Sequence, residues 1–215
     1  MTVRYVLWDH DGVLVDTEPV FFEATARVLA DRGAPFTHAR WAELQANGQG
    51  IVRLIREAGL AADEPEIRRM RDRTYGELLA ERDVLIEGAT GVLARISARY
   101  PSVMVTTSLR RYVDQMHGGT GLLNHFRHVL TAEDCTRHKP HPEPYLRAME
   151  LLGATPDECV AIEDSPRGLS AARAAGLRCA VVRSRFMETA LFPEAEIVLD
   201  SLGDFEAFVD RLAST

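Results

Sequence analysis

Tyr5-Val6-Leu7-Trp8-Asp9-His10-Asp11-Gly12 carries four apolar residues straight into a polar turn. An apolar run so short and continuous predicts a strand covered on both faces. Outward from it, similar runs recur at Val103-Met104-Val105, Val129-Leu130, Val160-Ala161-Ile162, Cys179-Ala180-Val181-Val182 and Ile197-Val198-Leu199. Helical patterns separate them. Tyr145, Leu146, Met149 and Leu152 form one apolar stripe, and Leu202, Phe205, Phe208, Val209 and Leu212 form another. Ser165-Pro166 offers a capping hydroxyl and a proline at the first helical position, and Gly176 closes the helix they open. Strand–helix alternation predicts an α/β fold with an open, Rossmann-like, doubly wound parallel sheet.

Residues 14–84 break this rhythm, because no run there reads as a strand. Phe21, Ala24, Thr25 and Val28 make a helical stripe that ends near Gly33. Further helices are expected over 39–45, 50–58 and 64–81. The expectation is a small α-helical domain, 14–84, inserted into an α/β core of residues 1–13 and 85–215, with hinges near Val13–Asp16 and Asp83–Gly88.

Composition narrows the function. The 215 residues are 46% hydrophobic and 27% charged, the range of a folded globular protein. A net charge of −7, with basic residues scattered, argues against binding nucleic acid by charge. There is no run of about 18 apolar residues to span a bilayer. Met1-Thr2-Val3-Arg4-Tyr5 lacks the basic-then-apolar pattern of a secretory signal. Cys135, Cys159 and Cys179 have neither disulfide-framework nor zinc spacing, so reduced thiols and a cytoplasmic location are expected.

Four local features can carry chemistry, and each also has an ordinary reading. Asp9-His10-Asp11-Gly12 follows a strand; it can be a simple turn, or it can turn Asp9 and Asp11 into one pocket while Gly12 lets backbone amides approach an anion. Val105-Thr106-Thr107-Ser108 ends another strand; Ser108 can cap a helix, or Thr106 can donate to a phosphate oxygen. Lys139, in His138-Lys139-Pro140-His141-Pro142, can be solvated or can neutralise a phosphate. Glu163 and Asp164 can serve as helix-end charges or as hard oxygen ligands for Mg²⁺. His10, His138 and His141 read as loop residues, with His10 turned away from Asp9 and Asp11. All four features fall at the C-terminal ends of predicted strands, where open α/β sheets build their sites. Carboxylates gathered there need a cation or a proton between them.

In this order the four features closely resemble the haloacid dehalogenase superfamily, in its phosphoglycolate phosphatase-like and β-phosphoglucomutase-like branch. Asp9-x-Asp11-Gly12 matches its first motif, Thr106 its second and Lys139-Pro140 its third. The stretch from Glu163 to Gly176 matches Glu-Asp-Ser-x-x-Gly-x-x-Ala-Ala-x-x-Ala-Gly. The helical insertion is similar to the family's cap domain, and the resemblance spans essentially the whole chain. Trp8 stands where the family usually has Phe, His10 where an apolar residue is common, and Glu87-Gly88 where Pro-Gly is common. Asp11 sets the chain apart from haloalkanoate dehalogenases and phosphonate hydrolases, which lack this second aspartate.

The resemblance implies a Mg²⁺-dependent phosphatase for a small phosphorylated metabolite. Asp9 becomes an aspartyl phosphate, and Asp11 acts as acid and then base. Asp9, the backbone carbonyl of Asp11, Asp164 and, directly or through its neighbours, Glu163 hold the metal. Thr106, Lys139 and backbone amides near Asp11, Gly12 and Thr107 hold the phosphoryl group. A phosphosugar mutase and a catalytically idle phosphate or protein binder are the alternatives. Phe21 falls where the mutases carry a histidine, and Gly48-Gln49-Gly50-Ile51 lacks their arginine. Gln45, Asn47, Gln49, Arg71 and Tyr75 are candidates to meet the leaving group from a cap that opens and closes.

Overall fold

The computed structural model describes residues 3–46, 50–183 and 192–214. The chain forms two compact units, Met1–Asp16 with Leu85–Thr215, and Thr17–Val84. The larger unit holds β1 (Tyr5–Trp8), β2 (Ser102–Val105), β3 (Phe126–Leu130), β4 (Cys159–Glu163), β5 (Arg178–Val182) and β6 (Ile197–Leu199). Among the described residues these form one sheet in the order β3-β2-β1-β4-β5-β6. Every pairing is parallel.

The apolar runs are continuous because successive side chains enter different cores. Val6, Trp8, Met104, Val160, Ile162 and Ala180 face one side. They pack there with Leu93 and Ile96 of a helix at Ala89–Ser97 and with Phe205 and Val209 of one at Gly203–Ala213. Leu7, Val103, Val105, Ala161, Cys179 and Val181 face the other side, against Tyr145 and Met149 of a helix at Glu143–Leu152 and Leu169 of one at Pro166–Ala174. Two-sided burial of this kind contributes about 1.5–3 kcal/mol for each large aliphatic side chain. Trp8 is accommodated because its indole N–H donates to Ser102 Oγ at 3.1 Å, while its ring meets Phe205 edge-on, with centroids 5.3 Å apart. The Ser165 hydroxyl caps the Pro166–Ala174 helix, accepting from Gly168 N at 3.1 Å.

The smaller unit contains helices at Glu18–Ala30, His38–Ala46, Gly50–Glu57 and Glu64–Ala80. Val28, Leu29, Trp41, Leu44, Ile55 and Ile67 form its core. Phe21 packs against Trp41 and Tyr75, with ring centroids 5.9 and 5.5 Å away. The Arg71 guanidinium stacks 4.6 Å from the Phe21 centroid and pairs with Asp72 Oδ1 at 2.6 Å. Gly48, Asn47, Gln49 and the side chain of Gln45 lie outside the described residues. No helix among the described residues is long and apolar enough to cross a membrane.

Candidate active site

The strand order reverses its winding between β1 and β4, and such a switch point opens a crevice at the C-terminal ends of the two strands. Asp9 leaves β1 there, its amide still bonded to Ile162 O at 3.0 Å. The chain then curls around the His10 carbonyl, which accepts from the amides of Val13, Leu14 and Val15. Gly12 makes this curl possible. Its φ is +80°, and a Cβ there would fall 1.8 Å from Asp164 Oδ2. The Gly12 amide itself donates to Val15 O at 2.7 Å, and the missing side chain leaves room for Asp164.

Asp9, Glu163 and Asp164 form an acidic cluster, each offering an oxygen within 4.8 Å of the others. One buried cation answers it. Lys139 Nζ donates to Asp9 Oδ1 at 2.8 Å and to Val105 O at 2.8 Å, and lies 2.7 Å from Glu163 Oε1. Its loop is fastened by Arg167, whose guanidinium donates to Lys139 O at 2.6 Å. Glu163 is wholly buried, and its Oε1 also accepts from the Tyr145 hydroxyl. Gly168 leaves the space for it, since a Cβ there would lie 1.8 Å from Glu163 Oε2. That oxygen is buried with no hydrogen-bond partner among the described residues.

Three carboxylates against one ammonium leave excess negative charge. Burial, and then the charge of Glu163, push the Asp9 carboxyl up to about 8, although Lys139 pulls the other way. Burial and the charge of Asp9 raise Asp164 well above the carboxylate range. Burial alone would lower the Lys139 ammonium, but Asp9 and Glu163 outweigh it and hold Lys139 above the ordinary lysine value. The sign of the linkage for Asp9 follows. The folded protein without a cation binds this proton more tightly than the unfolded chain does. Its contribution to stability is complete below about 4 and is lost as the pH rises to about 8. The Tm difference between chelated protein and its Asp9→Asn variant should therefore fall as pH rises through that window; a difference that climbs steadily to pH 8 would contradict this electrostatic account.

Asp11 turns to a different set of partners. Its Oδ2 accepts from Thr106 Oγ1 at 3.0 Å and Ser108 Oγ at 2.8 Å, with His10 Nδ1 3.2 Å away. This corrects two sequence expectations. Ser108 does not cap the following helix, Arg110–His117, whose N-cap is Leu109. His10 does not turn away from Asp11, because the curl of the loop drives its ring into the interior. Thr106 is buried and Thr107 is exposed beside it. His10, Ser108, His117 and Tyr145 are the site neighbours that sequence reasoning misses. The uncommon histidine between the two aspartates is the one local signal that could have raised the question.

A buried lysine set among carboxylates at the switch point of a parallel sheet is a candidate active site for an α/β enzyme. Residues 6–182 match the haloacid dehalogenase-like hydrolases, and the chain belongs to that family. It is 30% identical over 193 residues to fructose-1-phosphate phosphatase YqaB of Escherichia coli, covering 85% of this chain and 99% of that one. It is 28% identical over 218 residues to N-acetylmuramic acid 6-phosphate phosphatase of Pseudomonas aeruginosa, covering 98% and 96%. The crystal structure of CbbY from Rhodobacter sphaeroides in complex with phosphate aligns with a TM-score of 0.78 at 25% identity, covering 95% of this chain and 96% of that one.

Proposed function

We propose that this hydrolase is a Mg²⁺-dependent phosphatase that cleaves a small phosphorylated metabolite, of the phosphosugar kind, through a phosphoryl group carried on Asp9. One observation supports this most: the buried carboxylate of Asp9 sits within 2.8 Å of the Lys139 ammonium, in a cluster with Glu163 and Asp164, at the crevice where a parallel sheet takes its ligand. Phosphatases of phosphorylated sugars among its relatives support the substrate class. The helical unit Thr17–Val84 occupies the place in the sequence of the family's cap domain and is proposed to serve as one. Unpaired Cys135, Cys159 and Cys179 accord with a cytoplasmic location.

The donor set suits a hard divalent cation: oxygens alone, an excess of negative charge, and a buried Glu163 Oε2 without a hydrogen-bond partner among the described residues. Asp9, Asp164 and the carbonyl of Asp11 would hold Mg²⁺, with Glu163 beneath them anchored by Lys139 and Tyr145. When bound, the ion neutralises charge on the phosphoryl oxygens and keeps Asp9 ionised.

The chain's own groups then account for the chemistry. An Asp9 oxygen attacks phosphorus as the bond to the leaving oxygen breaks, and Asp11 gives that oxygen its proton. In the second half Asp11 takes a proton from a water that attacks phosphorus, and the Asp9–phosphorus bond breaks to release inorganic phosphate. Lys139, Thr106 and Thr107 hold the phosphoryl group in line. A panel of phosphorylated metabolites assayed for phosphate release tests the function. Release from none of them with Mg²⁺ present would overturn it.

Hydrolysis is expected over isomerisation. Phe21 stands where the mutases place a histidine, and its ring is enclosed by Trp41, Tyr75 and Arg71 within the helical unit. A phenyl ring cannot relay a proton or bond to a sugar hydroxyl. Given β-glucose 1-phosphate, a trace of the bisphosphate and Mg²⁺, the protein should form more free phosphate than glucose 6-phosphate. Rapid isomerisation with little phosphate released would refute this.

A further inference from the structure

His10 is completely buried, between the two aspartates of the loop after β1. Its ring meets a second buried histidine, His117, at the end of the Arg110–His117 helix. The two Nε2 atoms are 2.8 Å apart, and the rings cross at 78°. His10 Nδ1 is 3.2 Å from Asp11 Oδ2. We propose that His10 is a positioning residue for Asp11, held by His117 in a buried hydrogen-bonded relay that fixes which oxygen of Asp11 exchanges the catalytic proton.

The tautomers follow from valence. Asp11 Oδ2 already receives the hydroxyls of Thr106 and Ser108, so it acts as an acceptor and His10 Nδ1 carries the hydrogen. With its hydrogen on Nδ1, His10 offers Nε2 as an acceptor, and the 2.8 Å contact has His117 donate from its own Nε2. His117 Nδ1 is left as a bare nitrogen, and it is buried without a hydrogen-bond partner among the described residues. The neutral state of that ring is independently favoured, since burial, followed by the neighbouring His10, pushes it down to about 4.

The consequence for Asp11 is directional. With Oδ2 occupied by donors, a proton on this carboxyl sits on Oδ1. Oδ1 is then the atom that protonates the leaving oxygen and later accepts from water. Thr106 is also proposed to bind the phosphoryl group. When its hydroxyl turns to substrate, His10 and Ser108 still hold Oδ2. An apolar residue at position 10 would leave the carboxyl one donor short at that moment.

This inference rests on the reading of Asp11 as acid and base, and two measurements separate them. Long-range ¹H–¹⁵N spectra of the unmodified protein should show hydrogen on His10 Nδ1 and on His117 Nε2. That result does not depend on any activity. Hydrogen on His10 Nε2 would overturn the relay. On an alkyl phosphate that the unmodified protein hydrolyses, His10→Leu should lower kcat about tenfold to a hundredfold, the range for losing a hydrogen bond to a charged group. KM should barely move, because the loss falls on the reacting state. His10→Asn, whose side-chain N–H can replace the ring Nδ1–H, should recover most of that loss. Equal kcat in the two variants would sink the proposal, and if His10→Leu does not fold, the tautomers decide. Absence of phosphate release from the unmodified protein would count against the phosphatase reading and leave the tautomer test standing.

Discussion

Asp9→Asn should leave a folded protein whose phosphate release is slower by several orders of magnitude, the loss typical when a covalent catalyst is removed. An amide nitrogen or carbonyl is a poor nucleophile toward phosphorus, so the bond that begins the reaction no longer forms. The fold should tolerate the change well. Asp9 is buried against Glu163 and Asp164, and its carboxyl is already pushed up by that burial and by the charge of Glu163. The neutral amide avoids the charge that this site disfavours, and its oxygen can still accept from Lys139 Nζ, which lies 2.8 Å from Asp9 Oδ1 in the native protein. Steady-state phosphate release and circular dichroism on the same preparation check both halves. Activity within a few-fold of the unmodified protein would exclude Asp9 as nucleophile.

Chelation should have an effect of similar size. Asp9, Glu163 and Asp164 face a single ammonium, and a phosphoryl group would add further negative charge. Without a divalent cation the cluster keeps protons on carboxyls that need to be ionised, and the substrate is repelled. Phosphate release should vanish in excess chelator and return on adding Mg²⁺. Ca²⁺ should restore it poorly, because it prefers more ligands at longer distances. Full activity in chelated protein would remove the metal from the account.

The sheet was legible from sequence because its strands are covered on both faces, so their apolar runs stand out from the helical patterns between them. β3 was less legible. It begins at Phe126, but its pattern Phe126-Arg127-His128 is only partly buried, and just Val129-Leu130 reads as strand. The helix at Glu64–Ala80 was readable by its length and by the proline in its first turn. The Arg110–His117 helix has few apolar residues to mark it. Of the charged members of the site, Asp9, Glu163 and Asp164 could be picked out because each lies at or just after a strand end, whereas Lys139 lies nine residues past the end of β3 and was marked by the Lys139-Pro140 match instead. Their partners could not. His10 and His117 are 107 positions apart, and Tyr145 reaches Glu163 from a different helix, so only the packing of the sheet brings them together. Ser108 looked like a helix cap because a hydroxyl after a strand serves either purpose equally well. The two glycines beside the acids, Gly12 and Gly168, matter for the carboxylates that fill the space of their missing side chains, a constraint invisible before folding.

The central claim is a phosphate bonded to Asp9. Protein turning over a phosphomonoester with Mg²⁺ can be quenched in acid, reduced with borohydride and digested for peptide mass spectrometry. Borohydride converts an acyl phosphate to an alcohol, so the account predicts homoserine at position 9, dependent on substrate and missing from Asp9→Asn. Brisk turnover with Asp9 unmodified at every quench time, or homoserine at another aspartate, would contradict it.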